Sequence, residues 1–220
     1  MCKKSEEKTK LTFTKKHAIG AYMIRKFLLT VLMGTLVIPT IGAEVKQLPT
    51  PNKTGGMPVM EAINMRQSGR DYNPQHKVDD QTLSEILWVA WGMNDHGTHT
   101  IPTSRNKQNM ELYLLTEDGT WRYEAADNAL VKANDKNLIP LCVKQDFVPN
   151  APVHLLYAAK NDGTGPLHVG SAYQNVYLYA TSKGMQTVIR RMINVDALNK
   201  EMGFGEDRSV IAHQTIGYAE

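Results

Sequence analysis

An α+β fold, with helices flanking a central antiparallel or mixed sheet, is what the sequence predicts, and three observations predict it. Leu83, Ile86, Leu87, Ala90 and Trp91 repeat at the i, i+3, i+4, i+7, i+8 spacing of a buried helical stripe. Two strand-like runs, Met110 to Glu117 and Trp121 to Ala126, flank Asp118-Gly119, a dipeptide that favours a tight hairpin. Helical and strand patterns then alternate without a regular βαβ rhythm, which argues against a doubly wound sheet.

The elements follow in order. Residues 44 to 56 are polar, carry two prolines and a Gly pair, and read as a linker or arm. Pro58 is a good first residue for a helix running to about Gln67, with Val59 and Ile63 on the packed side and Arg66 ending it. The second helix is capped by Asp79 or Asp80 and ended by Gly92. After the hairpin, Val153 to Ala159 is a short apolar run expected to be a buried central strand. A long helix spans about Leu167 to Lys183, closed by Gly184 and striped by Val169, Ala172, Tyr173, Val176 and Ala180. Gln186 to Arg190 and Ser209 to Ile216 read as strands, and Val195 to Met202 as a short helix between them. The stretch from Ala126 to Pro149 carries no readable motif.

Size and composition bound the rest. With 220 residues, 42% hydrophobic and 21% charged, the chain suits one globular domain, expected over residues 57–220. A net charge of +3, part of it at the N-terminus, gives no basis for a nucleic-acid partner. Arg25 and Lys26 precede an apolar run from Phe27 to Ile41 that ends in Ile41-Gly42-Ala43. Positive flank, short apolar stretch and small residues at the cut describe a signal peptide over 23–43, and Pro39 makes the run poor as a membrane anchor. Export to the periplasm or medium, without stable membrane insertion after cleavage, is the expectation. Translation is expected to start at Met23, with residues 1–22 an upstream extension. Glu44 rather than Cys follows Ala43, which removes lipid attachment, and the mature chain then holds one thiol, Cys142, read as a buried apolar residue.

Three segments carry candidate chemistry. Arg66-Gln67-Ser68-Gly69-Arg70 places two guanidinium groups and a hydroxyl at a helix end, donors suited to a phosphate, although such stretches are more often solvated loops. Ile101 to Gln108 supplies a row of amides and hydroxyls that could edge a polar heterocycle, or simply form a polar turn. Gly165 to Met192 is a helix handing over to a strand that ends in Arg190-Arg191. The histidines show no metal-ligand spacing: His96 and His99 are separated by Gly97, which favours a loop. His99 precedes the second segment and is a secondary candidate for touching substrate.

In this order the segments resemble the nitroreductase family of flavoproteins. The resemblance rests on Arg66, Ser68 and Arg70 after the first helix, and on the helix Leu83 to Gly92. It continues through Pro102 to Gln108 ahead of Glu111-Leu112-Tyr113, then Gly170, Ala172, Gln174 and Asn175, Gly184-Met185, and Gly217-Tyr218. It covers roughly residues 57 to 218, and order and spacing carry it rather than any one motif. It implies a homodimer with two FMN sites at the subunit interface. Arg66, Gln67, Ser68 and Arg70 would hold the phosphate, and Thr103, Ser104 and Asn106 would edge the ring. Backbone near Arg190 and Arg191 would face its reactive side. The implied activity is hydride transfer from NAD(P)H to a nitro, quinone or similar small acceptor, with no protein acid or base named.

Two departures and one tension accompany it. Relatives carry basic residues in a C-terminal tail that also touch the phosphate; here the sequence ends at Glu220, so FMN is expected to be held more weakly or with help from Lys107. Arg190-Arg191-Met192 stands where a Gly is usual, and its charge would stabilise reduced, anionic flavin or discourage a bulky substrate. Export separates the chain from cytoplasmic nicotinamide. The alternatives are therefore a flavin dehydrogenase of the azoline-oxidising type and a flavin- or ligand-binding protein without turnover.

Overall fold

The computed structural model describes residues 42–219. The upstream extension 1–22, and all of the signal segment except its last two residues, lie outside the described residues. The elements run β1 (Val45–Gln47), α1 (Val59–Met65), α2 (Asp80–Trp91), β2 (Met110–Thr116), β3 (Gly119–Glu124) and β4 (Ala129–Asn134). Then come β5 (Val153–Lys160), α3 (Gly165–Ser182), β6 (Met185–Arg190), α4 (Val195–Glu201) and β7 (Arg208–Tyr218). The seven strands form one sheet in the order β1-β4-β3-β2-β5-β7-β6, and every pairing is antiparallel. The expected α+β class holds, and the sheet is antiparallel rather than mixed.

Both faces of the sheet are covered, which explains the apolar run of β5. Val153, Leu155, Tyr157 and Ala159 point to the core shared with α2 and α3, while Leu156 and Ala158 point to a second core under α4. Strand β2 alternates likewise: Met110, Leu112 and Leu114 face the helices, and Tyr113 and Leu115 the other side. A central strand buried on both faces needs apolar residues at every position, so period-2 alternation disappears from its sequence.

Several expectations shift. Segment 44–56 is not wholly a linker: Val45–Gln47 pairs with Ala129–Val131 as the edge strand β1, too short and too exposed to show a pattern. Its partner β4 lies in the stretch that carried no motif. The β2–β3 loop is Glu117-Asp118, because Thr116 pairs with Gly119, the residue at φ 148°. Gly92 does end α2, but at φ −70° and not in the left-handed region. It is needed for space, since a Cβ there would lie 2.1 Å from Trp88 Cδ1. Gly184 does take the left-handed conformation after α3, at φ 66°. Helix α3 begins two residues earlier than expected because Asp162 Oδ1 accepts from the Thr164 and Gly165 N–H groups. Helix α1 stops at Met65 and buries only Ala62, whereas Val59 and Ile63, expected to pack, are exposed.

Candidate active site

The segment after α1 is laid against the outer edge of the sheet. Arg66 caps α1, its N–H donating to the Ala62 carbonyl. Gly69 N–H then donates to the Thr187 carbonyl of edge strand β6 at 3.0 Å. The Tyr72 hydroxyl sits 3.1 Å from the Gly69 carbonyl and 2.8 Å from Thr215 Oγ1 on β7. Burial pushes the Tyr72 phenol up to about 12, so it stays protonated and acts as a peg. Gly69 passes so close to β6 that a Cβ would meet Gln186 Oε1.

This path brings Arg66 and Ser68 together at Tyr177, with Arg70 following at Phe147. The Ser68 hydroxyl is 2.9 Å from the Tyr177 hydroxyl of α3, and the Arg66 guanidinium lies over the Tyr177 ring at 5.2 Å. Arg70 lies 5.8 Å from the Phe147 ring. Among the described residues neither Arg66 nor Arg70 has a carboxylate partner. Their charges meet aromatic faces and solvent, which leaves the forked N–H donors available to an anion. Gln67 is exposed beside them.

The Arg190 side chain lies by Phe147, as Arg70 does, but it is turned inward, so only the backbone near Arg190 and Arg191 is left for the role expected of this segment. The Arg190 guanidinium turns under the sheet and is 7% exposed. Its Nε donates to Gln145 Oε1 at 3.0 Å, one terminal nitrogen to His213 Nδ1 at 3.0 Å, and the other to the Cys142 and Met192 carbonyls. Arg190 is thus a clamp that fixes the chain just after β6, and its donors are spent on protein acceptors. Arg191 is exposed. Because Arg190 donates to His213 Nδ1, His213 must carry its proton on Nε2, aimed at His154 Nδ1 3.2 Å away. Burial first, then the charge of Arg190, lowers His154 to about 4; burial, then the neighbouring His154, then Arg190 hold His213 well below the ordinary histidine value. Cys142 in this pocket is fully buried, its thiol raised to about 12, as expected of a packing residue.

The second loop is built on the other end of α3. Thr103 leads into a 3-10 turn, Ser104–Asn106, and Arg105, Asn106 and Gln108 all have φ between 46° and 53°. Three non-glycine residues in the left-handed region within four positions store backbone strain, a feature that gathers at ligand sites. His168 of α3 holds the loop: its Nε2 accepts from Ser104 N–H at 2.8 Å, and its Nδ1–H donates to Asn109 Oδ1 at 2.5 Å. Lys107, expected to help with a phosphate, is instead paired with Asp162 at 2.9 Å. Thr103 and Asn106 line a cavity of about 420 Å³ together with His99, Thr100, Ile101 and Pro102. His99 is stacked on Trp91 at 3.6 Å and donates from Nδ1 to the Trp91 carbonyl; burial lowers its pKa, favouring the neutral ring.

Nothing in the sequence marks the positioning residues His168, Tyr177 and Tyr72. Each is one polar side chain in an apolar stripe or loop, and only its partners, far away in sequence, mark it. The two clusters are also separate within one chain. They meet α3 at Tyr177 and His168, nine residues apart, or about 14 Å along a helix rising ~1.5 Å per residue.

The fold, with a basic cluster at one end of α3 and a strained polar loop at the other, matches a known family. The chain belongs to the nitroreductase family, whose family model matches residues 63–218. A Methanocaldococcus jannaschii protein assigned as a nitroreductase is 31% identical over 48% of this chain and 65% of that protein. The chain thus spans somewhat less than two thirds of that relative's length. A structure from Ralstonia eutropha, also assigned as a nitroreductase, is 31% identical with a TM-score of 0.73, covering 80% of this chain and 90% of that one. A Staphylococcus epidermidis structure assigned as an NAD(P)H:FMN oxidoreductase shares the fold at 10% identity and a TM-score of 0.55, covering 77% of this chain and 91% of that one.

Proposed function

We propose that this chain is an FMN-dependent oxidoreductase that works as a homodimer, passing hydride from NAD(P)H to a nitro, quinone or similar small acceptor. The observation that carries the reading is the cluster Arg66, Ser68 and Arg70, in which, among the described residues, neither guanidinium has a carboxylate partner and the serine between them is exposed. That donor set fits a phosphate monoester. FMN, when bound, supplies the hydride chemistry. The chain's own residues hold and shield: the basic cluster takes the phosphate, and the loop Thr103, Ser104 and Asn106 offers amide and hydroxyl groups to a flat heterocycle. The backbone after β6 is held in place by the Arg190 hydrogen bonds. The cavity beside Asn106 is of a size for a small acceptor.

A homodimer reconciles the two clusters, because a second copy can bring its strained loop to the first copy's basic cluster. The exposed apolar face of α1 supports this: Met60 is 75% and Val59 62% exposed. Export, supported by the segment 23–43, completes the reading. The test is the absorption spectrum of residues 44–220 mixed with FMN and passed over a desalting column, before and after anaerobic NADH. Retained flavin bands that bleach are expected. The Arg66→Ala/Arg70→Ala double variant should stay folded and lose the flavin; full occupancy in that variant would show the phosphate is elsewhere. Bands that stay and do not bleach would favour oxidative chemistry or another donor.

A further inference from the structure

Tyr177 stands where three parts of the proposed phosphate site meet. Its ring, 5% exposed, lies under the Arg66 guanidinium, its hydroxyl is 2.9 Å from Ser68 Oγ, and the N–H of Ile189 on β6 donates to it at 3.1 Å. A phenol oxygen has one hydrogen to give and lone pairs to receive. The Ile189 N–H can only donate, so the Tyr177 oxygen accepts there. Its own buried hydrogen then needs an acceptor, and Ser68 Oγ is the one within reach. Once Ser68 Oγ receives from Tyr177, its own hydrogen is turned outward.

We propose that Tyr177 sets the direction of a donor chain, Ile189 N–H to Tyr177 O–H to Ser68 O–H, whose outer end is a hydrogen-bond donor for a phosphate monoester. Tyr177 is then a positioning residue that makes the site choose phosphorylated over unphosphorylated flavin, and this rests on the FMN reading above. A directed chain differs from a lone serine in two ways. The serine hydroxyl is oriented before the ligand arrives, so less freedom is lost on binding. Each link also polarises the next, which strengthens the last donor. The Arg66 guanidinium, held on the ring of the same tyrosine, aims its charge at the same oxygens.

The test is calorimetric titration of flavin-free protein with FMN, riboflavin and inorganic phosphate, for the wild type, Tyr177→Phe, Ser68→Ala and the double variant. Tyr177→Phe should weaken FMN about tenfold and leave riboflavin unchanged. Ser68→Ala should do the same, and the double variant should be no worse than either single one, since all three break one chain. Equal weakening of FMN and riboflavin would overturn the proposal, because a general packing defect does not read the phosphate. Unchanged FMN affinity would overturn it too, as would fully additive losses. If Tyr177→Phe does not fold, Ser68→Ala, at an exposed position, still decides: no phosphate-specific loss there means the chain does not end on the ligand. If the wild type takes up neither flavin, the FMN reading falls by itself. Inorganic phosphate then carries the question. Binding that drops about tenfold in Tyr177→Phe keeps the donor chain, and binding indifferent to Tyr177, or absent, overturns it.

Discussion

Gly217 and Gly69 show how single residues set the site, because each lets two segments come closer than a side chain would allow. A Cβ on Gly217 would lie 2.5 Å from Pro152 Cδ and 3.1 Å from the Tyr72 ring. Proline cannot rotate out of the way, and Tyr72 is the peg that holds the basic segment on β6 and β7. Gly217→Ala should therefore cost about 1–3 kcal/mol, the usual range for overpacking. Denaturant midpoints of the flavin-free protein would measure it, and an unchanged midpoint would mean that the Pro152 contact yields easily. The sequence made Arg66, Ser68 and Arg70 legible because three donors stand within five residues, and local spacing survives folding. The destination of the Arg190 side chain is hidden in the sequence for the opposite reason. As a sequence it is an arginine at a strand end, and only Gln145, His213 and two carbonyls from distant segments show where its donors go. The pairing of Lys107 with Asp162 is hidden in the same way.

Among the elements, those with a helical stripe or a marked apolar run of their own are legible to within a residue or two: α2, α3, β5, β6 and β7. The elements that stayed hidden, β1 and β4, are short and partly exposed, and they take their conformation from each other rather than from their sequences. The strands β5, β6 and β7 carry one feature that no single strand announces, the row His154, His213 and Arg190 on the face under α4. In the folded state both histidine pKa values lie below the ordinary 6.5, His154 at about 4. The unfolded chain therefore binds more protons between pH 6.5 and 4, so stability is full above this window and is lost as pH falls through it. His154 alone accounts for up to about 3 kcal/mol at the acid end, at ~1.4 kcal/mol per pH unit. Thermal melts of the wild type should fall across the window. The double variant His154→Gln/His213→Gln keeps an acceptor for Arg190 and should flatten the slope. An identical slope in both proteins would place the acid sensitivity elsewhere.

For the whole molecule, the telling fact is which way α1 faces. Its sequence, Val59–Met65, has the apolar content of a packed helix, yet only Ala62 is buried and Met60, Val59, Met65 and Ile63 are 52–75% or, for Ile63, 51% exposed. Leu167, early in α3, is 69% exposed as well. A single chain that folds around two full cores has no need to spend apolar residues on solvent, and patches of this kind mark association surfaces. The same helix delivers Arg66 to the basic cluster, so a surface that binds a second copy would also steady the proposed phosphate site. Charges at the centre of such a surface cannot be buried without partners. Met60→Glu/Ile63→Glu should therefore turn a dimer into a monomer while leaving the fold intact, because both side chains lie outside the cores. Sedimentation of the variant should show one-chain mass with an unchanged far-ultraviolet spectrum. Flavin retention should fall with the dimer, since the basic cluster of one copy would no longer meet the strained loop of the other. A variant that stays dimeric would put the interface on another face. A monomer that keeps its flavin would mean that one chain suffices to hold the cofactor, and that the separation of the two clusters along α3 is bridged by the ligand itself.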